Sequence, residues 1–214
     1  MLNMRYLIPA KKTQAEIEVK KSRFIATAAP VFSVDEAKAF IKMVKADFAD
    51  ASHNVPAFLV GFGSSNVKHC NDDGEPSGTA GRPMLAVLEG SGLGDIAVVV
   101  TRYWGGTKLG TGGLVRAYGD AVKEVLAVLP RAEKIPTHTV MLVIPYTYLE
   151  RVRLLTLEHL GKIEDEEFAA DITLVIQFMV EQFAPFQAAL NEMSHGTLAA
   201  EIIETHKSTI FPVA

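Results

Sequence analysis

A chain of 214 residues that is 49% hydrophobic and 21% charged has the make-up of an ordinary globular protein, long enough to bury a core without disulfides or metals. No stretch approaches the roughly 18 apolar residues of a membrane span, Met1 to Ala10 lacks the pattern of a signal peptide, and the single cysteine, Cys70, excludes an internal disulfide, so a reducing cytoplasm is the expected compartment. The net charge of −4 is unevenly spread: residues 1–136 hold 17 Lys/Arg against 14 Asp/Glu and residues 137–214 hold 4 against 11, which fits two modules with different partners but leaves the first too weakly basic for a dedicated non-specific nucleic-acid binder.

In chain order, residues 15–19 and 23–29 read as short strands around a basic turn, Lys20-Lys21-Ser22. Ser33 is placed to cap a helix, with Glu36 three residues on as its capping-box partner. Behind it Ala37, Phe40, Ile41, Val44 and Phe48 recur at helical spacing. Residues 57–62 read as a strand and 79–88 as a short helix with Pro83 in its first turn. Residues 96–100, continuously apolar and β-branched, read as a buried central strand. A glycine loop follows, then a helix over 114–129 with Val115, Val122, Leu126 and Leu129 on one face. Pro130 and Pro136 bracket a polar stretch that separates a first domain, 1–133, from a second, 137–214. The second reads as strand 139–144, helix 148–159, strands 162–168 and 172–180 about an acidic turn, helix 183–193 and strand 198–203. That βαββαβ order is the ferredoxin-like unit, and the fold class is α+β in two domains.

Most of the chemistry lies between residues 72 and 116. Gly105, Gly106, Gly110, Gly112 and Gly113 fall within nine residues, between a strand and a helix N-terminus. Free backbone N–H groups at the positive end of a helix dipole, with Arg102, Lys108 and Arg116 beside them, make an anion site. The pattern is neither a Walker loop nor a dinucleotide fingerprint. The alternative is that the glycines only permit close packing. Upstream, Asp72, Asp73 and Glu75 repel one another unless cations compensate. Ion pairs with Arg82, Arg102 or Arg116 would do so, as would magnesium at Asp73 and Glu75, or contact with a partner or substrate. No metal or other cofactor is expected. Ser77 or Thr79 would cap the following helix. His69 and Cys70 are adjacent on a strand and point to opposite faces, so they do not form a thiol–imidazole pair. Tyr103 and Trp104 would stack on bases or pack the loop against the protein. The acidic second half offers no nucleophile–base pair and no ligand cluster.

The segments Asp72-Asp73-Gly74-Glu75-Pro76-Ser77-Gly78-Thr79-Ala80-Gly81 and Thr101-Arg102-Tyr103-Trp104-Gly105-Gly106, continued through Lys108-Leu109-Gly110 and Gly112-Gly113-Leu114, closely resemble the signature of the IMPACT/YigZ family. Val19-Lys20-Lys21-Ser22-Arg23-Phe24-Ile25 and Ala51-Ser52-His53-Asn54 match its other segments. Two departures are visible: Trp104 stands where phenylalanine is frequent, and Val55 where cysteine often follows. The resemblance implies a first domain like the second domain of ribosomal protein S5 and a second domain like a late domain of elongation factor G. It also implies a role near translation, because the eukaryotic relative is linked to translational control under stress through protein contacts.

The leading expectation is a translation-associated factor without catalysis that binds RNA or the ribosome. Arg102, Gly105, Gly106, Lys108, Gly110, Gly112, Gly113 and Arg116 would form its phosphate cradle, extended by the basic turn Lys20 to Arg23. His53, Asp72, Asp73, Glu75, Ser77 and Tyr103 are further candidate contacts to a partner or substrate. One alternative is an enzyme that holds a phosphorylated metabolite or nucleotide at the same loop, with Asp73 or Glu75 as base or magnesium ligand. Another is a module that regulates translation by binding proteins.

Overall fold

The computed structural model describes residues 5–63 and 66–212, with the side chains of all of these except 207, 208, 211 and 212. Residues 1–4 and 213–214, the outer ends of the two expected domains, lie outside that range. The described chain divides into two compact units, one of residues 6–133 with 212 and the other of residues 134–211 with 5. Each is built of mixed helix and sheet, so the class is α+β.

The N-terminal unit contains β1 (Tyr6–Pro9), β2 (Thr13–Val19), β3 (Ser22–Pro30), α1 (Val34–Asp47), β4 (His53–Val60), β5 (Val67–Cys70), α2 (Gly81–Gly90), β6 (Ile96–Tyr103) and α3 (Thr111–Val128). Five strands form one sheet in the order β2-β3-β6-β4-β5, each pair antiparallel. Strand β6 is central. Met84 and Leu88 of α2 and Ala117, Tyr118 and Val122 of α3 cover one face of the sheet, over Phe24, Ala26, Val98 and Val100. Ala37, Phe40 and Val44 of α1 cover the other, over Ala29, Phe58, Ala97 and Val99. Both faces being covered is why β6 reads as an unbroken apolar run, each large side chain contributing about 1.5–3 kcal/mol by burial. The fold is the one expected by likeness to the second domain of ribosomal protein S5.

Local chemistry sets the element ends. Lys20 and Lys21 both have positive φ, 48° and 67°, as a two-residue hairpin turn between β2 and β3 requires. Ser33 Oγ accepts the Glu36 N–H at 3.1 Å, while the Glu36 carboxylate reaches back to the N–H of Phe32 rather than of Ser33. Strand β6 runs on to Tyr103, so Arg102 and Tyr103 are strand residues and not loop residues. Helix α3 starts at Thr111, so Gly112 and Gly113 lie in its first turn rather than before it.

The C-terminal unit contains β7 (Arg131–Ile144), a 3-10 turn (Tyr146–Tyr148), α4 (Leu149–Glu158), β8 (Lys162–Phe168), β9 (Ile172–Met179), α5 (Val180–Met193) and β10 (Glu201–Pro212). Its strands lie in the order β10-β7-β9-β8, with β9 antiparallel to both neighbours. This is the ferredoxin-like βαββαβ arrangement. The inward positions Val140, Leu142, Ile144, Ile172, Leu174, Ile176 and Phe178 pack on Val152, Phe186 and Leu190. Pro136 lies inside β7 instead of before it. The last strand starts at Glu201, later than the pattern suggests, because the Leu198 and Ala200 N–H groups are held by Ser194 Oγ and Gln187 Oε1.

Candidate functional site

The register of the N-terminal sheet creates the site. Arg102 on β6 stands opposite Phe24 on β3 and opposite His53 on β4. Residues directly opposite one another in a ladder share a face, so these three side chains form a row under α3. The loop after β5 brings in Glu75. Arg102 Nη1 donates to Glu75 Oε1 at 2.6 Å and the Tyr118 hydroxyl donates to the same oxygen at 2.8 Å. The second carboxylate oxygen of Glu75 takes no hydrogen bond among the described residues. The guanidinium carbon lies 5.5 Å from the centre of the Phe24 ring. The side chains of Arg102 and Glu75 are only 8% and 3% exposed, and the buried Arg102 Nε has no partner. Burial and then Glu75 push the Tyr118 hydroxyl far above the ordinary tyrosine range.

The three clustered carboxylates have separate compensators. Asp72 accepts the N–H groups of Gly78, Ala80 and Gly81 at 2.8, 3.1 and 2.8 Å and so caps α2. Neither Ser77, which is exposed, nor Thr79, whose hydroxyl donates to Pro76 O, does so. Asp73 binds Lys45 Nζ through Oδ1 and accepts the Asn54 N–H through Oδ2 at 2.6 Å. Burial raises both aspartate pKa values, but the backbone donors around Asp72 and the Lys45 and Asn54 donors around Asp73 outweigh it and hold both below the ordinary range. Glu75 has Arg102. Asp73 and Glu75, the pair considered for magnesium, are therefore each matched to a protein cation, and no group of three or more metal-ligating side chains occurs among the described residues.

His53 is oriented by the same loop. Its Nδ1 lies 2.8 Å from the carbonyl oxygen of Asp73. A carbonyl only accepts, so Nδ1 carries a proton. Nε2 faces Glu75 Oε1 at 3.9 Å. The other histidine considered, His69, lies against Phe58 at 5.5 Å, while Cys70 packs into the core under α2 and its thiol is raised by burial. They do point apart.

The glycine loop is partly structural. A Cβ on Gly105 would fall 2.0 Å from the Lys21 carbonyl carbon, and the Gly105 N–H donates to Ser22 Oγ at 3.1 Å. The first half of the loop is thus packed onto the β2–β3 turn. Tyr103 donates to Asp50 at 2.7 Å, and Arg23 of the basic turn pairs with Glu16. Gly106 and Gly110 take φ values of 84° and 76°. Gly113 fits closely against Leu109, whereas a Cβ on Gly112 would meet nothing.

The expected basic residues do not gather at one point. Arg102 is turned inward, and exposed Arg116 lines a separate depression with Gly112 and Asp120. Lys108 alone of the three stands exposed beside a cavity of about 370 Å³. His53, Glu75 and Arg102 form its buried side; Trp104, Lys108 and Thr111 form its open side. Trp104 is 59% exposed. The first turn of the 18-residue α3 begins at Thr111, with backbone N–H groups that have no intrahelical acceptor. An aromatic plane, a lysine and a helix N-terminus above a charge-neutralised floor suit a planar anionic ligand. Sequence reasoning missed Lys45 and Tyr118, which lie 28 and 43 residues from their partners Asp73 and Glu75 and carry no local signal.

Comparison with known proteins places this arrangement. The Impact N-terminal domain matches residues 20–126, and a domain of unknown function, DUF1949, matches residues 142–197. The chain is 42% identical to the IMPACT family member YigZ of Escherichia coli (strain K12), over 93% of this chain and 98% of that protein. It is 37% identical to an IMPACT family member of Haemophilus influenzae, over 93% and 97%. The crystal structure of a hypothetical protein, 41% identical, superposes with a TM-score of 0.62 over 94% of this chain and 98% of the other.

Proposed function

This chain belongs to the IMPACT family, and on that premise we propose that it is a cytoplasmic, translation-associated factor without catalysis that binds single-stranded RNA, free or on the ribosome. The observation that carries the reading is the cavity beside α3, where Lys108, the α3 N-terminus and exposed Trp104 converge. Phosphate is drawn to lysine and to free helical N–H groups, and an unstacked base is drawn to an exposed indole. The glycines act indirectly. Gly105 docks the loop, and Gly110 sets the entry to α3. No helix among the described residues is long and apolar enough to cross a membrane.

Co-sedimentation with ribosomal subunits and bulk RNA over a salt series tests this. Binding that weakens steeply with salt, and is reduced in Lys108→Ala, is expected. Absence of binding at low salt removes the proposal.

His53 favours a second reading. A ring held at Nδ1–H by a carbonyl, with Nε2 beside a buried carboxylate, is the geometry of a general base. In that reading the cavity holds a phosphorylated nucleotide for an enzymatic step. Turnover of a nucleotide, lost in His53→Ala, is its requirement.

A further inference from the structure

We infer that the cavity reads the sugar of the nucleotide it holds, with the Glu75 carboxylate accepting from a ribose hydroxyl, so that the protein distinguishes RNA from DNA. The inference rests on the RNA-binding reading above and adds to it a specificity element.

The buried side of the cavity is unusual in its balance of donors and acceptors. The Arg102 charge and the Tyr118 hydroxyl both fall on Oε1 of Glu75, leaving its second oxygen without a hydrogen bond among the described residues. His53, held at Nδ1 by the Asp73 carbonyl, turns Nε2 toward Glu75 Oε1 at 3.9 Å and flanks the carboxylate. An unmatched carboxylate oxygen therefore lies on the buried side. A phosphate would be repelled there, while a hydroxyl would supply the missing donor. Arg102 pairs with the carboxylate at 2.6 Å, and its own buried Nε–H has no partner.

The open side has the opposite character. Lys108 and the α3 N-terminus take an anion, and Trp104 offers a ring face. A ligand that meets both sides must carry a hydroxyl, an anion and a flat ring within about 370 Å³. A single ribonucleotide unit has all three. A deoxyribonucleotide lacks the hydroxyl and leaves the buried carboxylate oxygen unmatched, a mismatch that discriminates more strongly than a missing apolar contact. The same chemistry is offered by a unit within RNA and by a free ribonucleotide.

The test varies the ligand, so that folding of the protein is not at issue. Fluorescence anisotropy would compare labelled ten-nucleotide oligouridine with its 2′-deoxy and 2′-O-methyl forms. The ribose form is expected to bind at least about tenfold more tightly than either. Equal affinity for the ribose and deoxy forms would overturn the inference and leave RNA binding standing, whereas no binding of any oligomer would overturn both. Competition by uridine monophosphate at concentrations comparable to the oligomer separates the two sources, and ribose preference in either one sustains the assignment. Glu75→Gln, checked for folding by circular dichroism, is expected to narrow the ribose preference; an unchanged preference in a folded variant would overturn the role of Glu75.

Discussion

Arg102 and Glu75 meet at 2.6 Å on the buried side of a cavity, one from the central strand and the other from a loop 27 residues earlier. Neither side chain has more than a few per cent of its surface in water. Removing one partner of such a pair leaves an uncompensated buried charge, which costs about 3–5 kcal/mol. Glu75→Ala is expected to destabilise the N-terminal unit by that amount. Tyr118→Phe, which removes one hydrogen bond to the charged oxygen, should cost about 1.5–3 kcal/mol. Urea unfolding of both variants measures this, and a Tyr118→Phe protein as stable as wild type would show that the 2.8 Å bond contributes nothing.

Two glycines of one loop should respond oppositely to alanine. At Gly105 the new methyl group would sit 2.0 Å from backbone of the β2–β3 turn, and something must shift. Gly105→Ala is expected to lower stability by more than the ~1–3 kcal/mol of ordinary overpacking. At Gly112 the methyl group meets nothing and the backbone is helical, so Gly112→Ala should be neutral or stabilising by up to about 1 kcal/mol. Thermal melts of the pair decide it; similar melting of the two variants would contradict the packing described.

Much of this was legible in the sequence, for local reasons. The Ser33 cap, the buried strand at 96–100 and the βαββαβ rhythm all rest on periodicity or short-range hydrogen bonding, and the structure contains each of them. The site was legible only as a neighbourhood. Residues 102–116 gave the charges, but direction is set by strand register, which placed Arg102 between Phe24 and His53 and turned it inward. Gly105 read as an anion-binding glycine, yet its requirement comes from Lys21, far away in the chain. Long-range partners such as Lys45 and Tyr118 leave no mark in local pattern.

Acid should weaken the N-terminal unit through its aspartates. Asp72 and Asp73 both titrate below the ordinary value of 3.8 when folded. A carboxyl with a lowered folded value contributes stability that is complete above its unfolded value and is lost as pH falls through the folded one. The stability gap between wild type and Asp72→Asn is therefore expected to be constant at neutral pH and to close as pH drops below 3.8. Urea midpoints across that range measure it, and a gap that persists at strongly acid pH would contradict the capping role.

Lys108 and Arg116 should separate in RNA binding, because only Lys108 stands beside the cavity. Lys108→Ala is expected to weaken binding and to reduce the slope of log affinity against log salt by about 1. Arg116→Ala should have the smaller effect. Anisotropy titrations at several salt concentrations give both slopes, and an Arg116 effect equal to or larger than that of Lys108 would move the phosphate contact along α3.

The most direct measurement is a two-dimensional NMR titration of the full-length protein with single-stranded oligouridine at low salt. RNA held in the cavity predicts that the Trp104 indole N–H and the backbone amides of Lys108, Gly110 and Thr111 shift together and saturate at one ligand per chain. Shifts confined to the C-terminal unit, or no shifts at all, would contradict the assignment of this cavity as the RNA-binding site.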